Sequence, residues 1–304
     1  MKRLTLGLLL CAGLLLSTAP MWSAPPIRVM ILDGESGGPY HAWKETTPYL
    51  KRMLADAGIF EVDVVTAPPK DGDFSAFKPD WSKYQAIVWN YDAPDERWPD
   101  SLKTSFEQYV RNGGGVVVVH ASDNAFPHWK AFNVMIGVGG WRGRDEKSGA
   151  HFYYQDGKMV ADPAPGTAGM HGARLPFKVV DRVTDHPITE GLPKEWMHVA
   201  DELYGNLHGP GENMTVLATA FSDPANKGTG KDEPILMVVH YGKGRIFHTT
   251  MGHDLAALNC VGFITTYQRG TEWAATGRVT QKVPSDFPTA DKTSTRAEYD
   301  PPAK

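Results

Sequence analysis

The chain has 304 residues, of which 41% are hydrophobic, 22% charged and 11% aromatic. This composition excludes a largely disordered, collagen-like or disulfide-scaffold protein. Thirty-one basic side chains against 35 acidic ones give a net charge of −4 without a basic run, so nucleic acid, DNA included, and anionic membrane surfaces are poor partners.

Residues 1–24 read as a secretory leader. Lys2 and Arg3 precede an apolar stretch, Leu4 to Leu16, too short to span a bilayer comfortably. The cut site is weakly marked, because Ala24 follows the bulky Trp22 and precedes Pro25. Export to the periplasm or the extracellular space is the expectation, with a membrane involved only through an uncleaved leader. Cys11 leaves with the leader and Cys260 stands alone beside Val261 and Phe263, which reads as a buried small hydrophobe.

Ile27 to Leu32 is a short β-branched strand that stops at Asp33-Gly34. Trp43, Thr47, Leu50, Met53 and Leu54 then recur at helical spacing up to Gly58. Phe60 to Val65 and Tyr84 to Trp89 are the next strands, the latter closing in Asn90-Tyr91-Asp92. A helix from Pro99 runs through Leu102, Phe106 and Val110 to Asn112-Gly113-Gly114. Val116 to His120 follows with no alternation, as a strand covered on both faces requires. Strand, helix, strand at this spacing predicts an α/β fold: a doubly wound, mostly parallel sheet. Its strand ends share one edge, where ligands bind in such folds.

From Gly137 to about Arg174 the pattern dissolves into a long loop insertion, whose aromatics and paired arginines favour an ordered flap. Strands resume at Phe177–Val180 and Thr215–Thr219. Ile235–His240 and Arg245–Thr250 form a hairpin around Tyr241 to Gly244. That hairpin brings Asp232-Glu233 and Gly252-His253-Asp254 to one end and leaves His240 at the other. If its second arm runs parallel to the earlier strands, His253 and Asp254 join His120 at the binding edge. The domain is expected over 25–280, with 281–304 an extended tail that is disordered from Lys292.

Imidazoles and carboxylates on one edge can hold a divalent metal or act as acid and base. His120 and His253 are the preferred metal ligands or bases, and Asp201 is a third metal candidate. Asp254 is placed to orient His253 or to bind directly, and Glu202 to bind metal or shuttle a proton. His41, Asp123 and Asn124 are candidate substrate contacts, as are Trp43, Tyr91, Trp141 and Tyr204, whose rings suit the faces of sugars. His186 reads equally as a functional or a turn residue, and His248 as a core histidine. His128, His151, His171 and His208 are expected on the surface. No nucleophile elbow, dinucleotide fingerprint or phosphate loop is present, so neither a serine hydrolase nor a nucleotide cofactor is expected.

The stretches Asp33–Trp43, Asn90-Tyr91, Asn112 through Asn124, Ile136–Gly149, His186-Pro187-Ile188, Trp196–Tyr204, Gly230–Pro234 and Gly244–Asp254 together resemble the ThuA-like, or trehalose-utilisation, family from about residue 27 to 280. One departure is Asp232-Glu233-Pro234, where the family form is His-Glu-Pro. The resemblance implies a flavodoxin-like sandwich of the class I glutamine amidotransferase-like type, lacking the amidotransferase cysteine, in a protein of carbohydrate utilisation with keto-sugars as a substrate class. The expected function is an exported hydrolase or lyase acting on a carbohydrate small molecule, metal- or histidine-dependent. The alternative is a non-catalytic carbohydrate-binding module.

Overall fold

A computed structural model describes residues 25–38 and 40–299; the leader expected over 1–24 lies outside them. The first half alternates strand and helix: β1 (Ile27–Asp33), α1 (Trp43–Asp56), β2 (Phe60–Thr66), β3 (Ala86–Trp89), α2 (Asp100–Arg111), β4 (Gly115–Val119) and α3 (Lys130–Ile136). The insertion carries β5 (Ala150–Gln155), β6 (Lys158–Asp162) and β7 (Met170–His171). Then follow β8 (Leu175–Asp181), β9 (Glu195–Asp201), β10 (Tyr204–Gly205), β11 (His208–Gly209), β12 (Met214–Phe221), β13 (Asp232–Tyr241) and β14 (Gly244–Thr249). Two helices, α4 (Leu255–Leu258) and α5 (Val261–Thr276), end the domain.

The sheet order is β2-β1-β3-β4-β14-β13-β12-β8-β9. The first five strands are parallel, the doubly wound order of flavodoxin-like folds with β14 in fifth place. The remaining four extend the sheet antiparallel. Chain pleating explains the unbroken valines of β4: Val117 and Val119 join one core with Leu50, Phe263 and Tyr267, while Val116 and Val118 join another with Phe106 and Phe132. Both faces are therefore buried under helices.

Strand direction places the site. The parallel strands β1, β3, β4 and β14 end on one edge, and three reversals beyond β13 bring the end of β9 to that same edge. The hairpin deduction holds, since β14 lies parallel to β4 and antiparallel to β13. The insertion is an ordered flap. Its β5–β6 hairpin is pinned to β11 and to Asp232 at the start of β13. Arg144 is fully buried beneath it, where its guanidinium donates to the carbonyls of Asn124, Ala125 and Gly140 and to Asn133.

Two expectations are corrected. The tail is packed rather than disordered as far as Tyr299: the Tyr299 hydroxyl donates to Asp56, Arg296 pairs with Asp286, and Phe287 meets the Trp196 ring. Tyr91, a candidate substrate contact, is core rather than cleft, because it closes with Trp89, Trp98 and Phe126 into one buried cluster.

Candidate metal centre

His120 follows β4 directly in a left-handed conformation, φ 47°, a strained state for a non-glycine residue that is commonest at functional sites. Its Nδ1 donates to the Thr250 carbonyl at 2.6 Å. That bond fixes the tautomer and leaves Nε2 bare, the arrangement that orients metal-binding imidazoles. His253 comes from the turn after β14, Glu202 from the end of β9, and His41 from the loop before α1.

The three imidazole centroids lie 5.0–5.4 Å apart. Glu202 Oε2 is 3.0 Å from His253 Nδ1 and 3.6 Å from His120 Nε2. One donor atom from each of His41, His120, Glu202 and His253 lies within 4.8 Å of the others.

Electrostatics sharpen this arrangement. Burial, helped by the neighbouring imidazoles of His120 and His253, pushes His41 down to about 3, so it stands neutral, as a ligand must. Burial works against charge on His120, but Glu202, Asp201 and the Thr250 carbonyl outweigh it and raise its pKa. Burial likewise opposes charge on Glu202, yet His120 and His253 hold its carboxyl well below the usual range. His41 Nδ1, His120 Nε2 and His253 Nδ1 are buried without a hydrogen-bond partner. Orphaned polar atoms are rare in native interiors. Three bare imidazole nitrogens converging on a carboxylate fit a first-row divalent ion.

The centre opens on a cavity of ≈600 Å³ bordered by Trp141, Tyr204, Asn124, Asp92, Arg142 and His171. Tyr204 joins the two parts. Its ring lies 4.1 Å from that of His120 and 4.5 Å from that of Trp141, and its hydroxyl is 3.3 Å from His41 Nε2.

The structure thus brings together His41, His120, Glu202 and His253, with Trp141, Tyr204 and Asn124 on the adjoining walls. It places other candidates elsewhere. Asp201 is not in the ligand set, because its buried carboxylate is saturated by the N–H groups of Glu202, Gly252 and His253 and by His198. Asp254 does not touch His253; it caps α4 through the Ala257 N–H and pairs with Arg174 at the surface. The Tyr91 ring packs in the aromatic core. Trp43 opens α1, is not among the residues lining the cavity, and lies beneath the Lys44 ammonium. Asp123 is fully buried 3.4 Å from His248, behind the cavity wall, which keeps His248 a core residue. His186 is a turn residue that accepts from the Ile188 N–H. His151 and His208 are buried rather than exposed, His151 against Glu233 at 3.0 Å.

Sequence reasoning missed His171, whose Nε2 is 3.7 Å from Glu202 Oε1, and the Asp92–Arg142 pair. Asp92 closes the strand ending at Trp89, whereas Arg142 and His171 lie in the insertion, where the paired arginines were the one hint.

A flavodoxin-like sheet with a histidine–glutamate centre at its strand ends defines the class. A family model described as trehalose utilisation matches residues 28–274, and the chain belongs to the ThuA family. Among solved structures, a ThuA-like protein of Parabacteroides merdae is 43% identical, with a TM-score of 0.86 over 90% of this chain and 99% of that one. A ThuA-like protein of Bacteroides uniformis is 21% identical, with a TM-score of 0.57 over 86% and 96%, a likeness of fold. No curated protein matches in sequence.

Proposed function

We propose that this ThuA-family protein is a metal-dependent hydrolase or lyase acting on a sugar or keto-sugar. The observation that carries the reading is the cluster of His41, His120, Glu202 and His253 opening on an aromatic-walled cavity. These four residues would hold the ion, which supplies polarisation of a carbonyl or activation of water.

The chain's own groups prepare the reaction. Thr250 fixes the His120 tautomer, and Asp201 anchors the backbone on both sides of the centre, at Glu202 and at Gly252-His253. Tyr204 orients His41 and, with Trp141, offers ring faces on which a pyranose stacks. His171 donates through Nδ1 to the Gly172 carbonyl, which turns Nε2 toward Glu202 and the cavity as a proton acceptor. The leader expected over residues 1–24 supports placing this chemistry outside the cytoplasm.

The test is elemental analysis of the purified protein, followed by assay on ordinary and oxidised glycosides before and after chelation. The reading expects about one divalent ion per chain and turnover that chelator removes and added metal restores. Metal-free protein that binds glycans regardless of chelator, with no turnover, would replace it with a carbohydrate-binding module.

A further inference from the structure

Resting on that reading, we propose that Cys260 and His198 are positioning residues of the metal centre, a buried thiolate and imidazolium that hold Asp201 and, through it, the ligand-bearing backbone at Glu202 and His253. Cys260, His198 and Asp201 are all fully buried, and none of them lines the cavity. Composition alone makes Cys260 a small hydrophobe; its surroundings are those of a charge.

The contacts run from the sulfur to the centre. Asp201 Oδ1 accepts from the N–H groups of Glu202 and His253, and Oδ2 from that of Gly252. One carboxylate thus ties the end of β9 to the turn after β14, the segments that supply two of the four ligands. His198 Nε2 donates to the same Oδ2 at 2.9 Å. Its other nitrogen, Nδ1, is buried without an oxygen or nitrogen partner and faces the Cys260 sulfur. An imidazolium carries a proton on both nitrogens and needs an acceptor on each side. The carboxylate is one, and the sulfur is the other.

The place of the thiol in the fold favours its ionised form. Cys260 immediately precedes the first turn of α5, a helix of 16 residues, whose N-terminal end attracts negative charge. Burial opposes a thiolate, but His198 and the N–H groups of Phe263 and Val199 outweigh it and hold the thiol below its usual pKa. Burial likewise opposes charge on His198, yet the Cys260 sulfur and Asp201 push it up to about 9. The chain after α5 seals the pair. The Val261 N–H donates to the Ser294 carbonyl, the Met197 N–H donates to the Thr289 carbonyl, and Cys260 itself forms a bridge with Thr295. Away from water, opposite charges attract more strongly. The packed tail thereby supports the centre from behind.

The test compares the full-length wild type with Cys260→Ser, which loses the thiolate, and with His198→Gln, which keeps a donor for Asp201 and loses the charge. At neutral pH the ultraviolet thiolate band should be present in the wild type and absent in Cys260→Ser. Both variants should bind zinc about tenfold more weakly, the scale of a lost hydrogen bond to a charged group. Both should also speed amide hydrogen exchange at Glu202 and at Gly252-His253 relative to the rest of β9 and β14. Adding Cys260→Ser to His198→Gln should change neither quantity further, because the sulfur acts only through the imidazole. No thiolate band, exchange at those amides unchanged in Cys260→Ser, or additive losses in the double variant would overturn the proposal. If Cys260→Ser does not fold, the S–H stretching band of the wild type decides: none is expected beyond that of Cys11, and a second one would overturn the proposal. Wild type that takes up no zinc, with the thiolate and exchange effects as expected, rejects the metal-dependent reading alone. Zinc bound equally by wild type and both variants rejects the positioning role alone.

Discussion

Replacing Asp201 with asparagine tests whether the centre is held by its buried support. Asp201 Oδ2 accepts from the Gly252 N–H at 2.8 Å and from His198 Nε2 at 2.9 Å, while Oδ1 accepts from the Glu202 and His253 N–H groups at 2.8 and 3.1 Å. Whichever way the asparagine amide turns, two of those four donors face an NH2. Hydrogen bonds to a charged group are worth about 1.5–3 kcal/mol each, and breaking a buried ion pair from one side costs about 3–5 kcal/mol. Asp201→Asn is therefore expected to lose about 3–5 kcal/mol, a fall in Tm of roughly 6–10 °C for a domain of this size, and metal uptake should fall with it. Asp254→Asn is the control. Asparagine caps helices as well as aspartate does, and the Arg174 pair is exposed at 41% and 35%, so a loss under about 1 kcal/mol is expected. Urea unfolding and calorimetry of both variants decide. Equal losses, or Asp201→Asn within 1 kcal/mol of wild type, would refute the reasoning.

Three further outcomes are expected. His120→Ala should abolish turnover while unfolding free energy changes by no more than about 2 kcal/mol; retained turnover in steady-state assays would remove His120 from the centre. Asp181 is buried with both oxygens unpartnered, and burial pushes its pKa up to about 7 against an ordinary 3.8. Between those values the folded chain holds a proton that the unfolded chain lacks, so stability falls as pH rises through this window. Asp181→Asn should consequently gain on wild type from pH 4 to pH 7 and level off above, whereas a pH-independent difference in urea midpoints would contradict it. A divalent ion at a hundred times its Kd should stabilise the fold by about 2.7 kcal/mol, seen as a rise in Tm that His253→Ala loses; an unchanged Tm on adding the ion to wild type would count against the centre.

Much of this was legible in the sequence. The valine run of β4 required a sheet covered on both faces, and the hairpin around Tyr241 to Gly244 fixed where His253 had to lie. The roles of the acids were not legible. Asp201, Glu202 and Asp254 all sit on strand ends, and only the third dimension shows that Asp201 faces four donors, Glu202 faces imidazoles and Asp254 faces a helix N-terminus. The strand β9 was hidden because its buried positions, Trp196, His198 and Asp201, include two polar side chains and break the period of two at Asp201, which reads as a loop. Tyr91 and Trp98 follow strand-end and turn residues like the true cleft aromatics, yet they pack inward. Adjacency to a loop does not determine which way a ring points.

The most direct test of the central claim is an anomalous-scattering map from crystals of the protein soaked in manganese or zinc. The account predicts one peak bonded to His41, His120, Glu202 and His253. A map with no peak there, or with the ion held by other side chains, would contradict it.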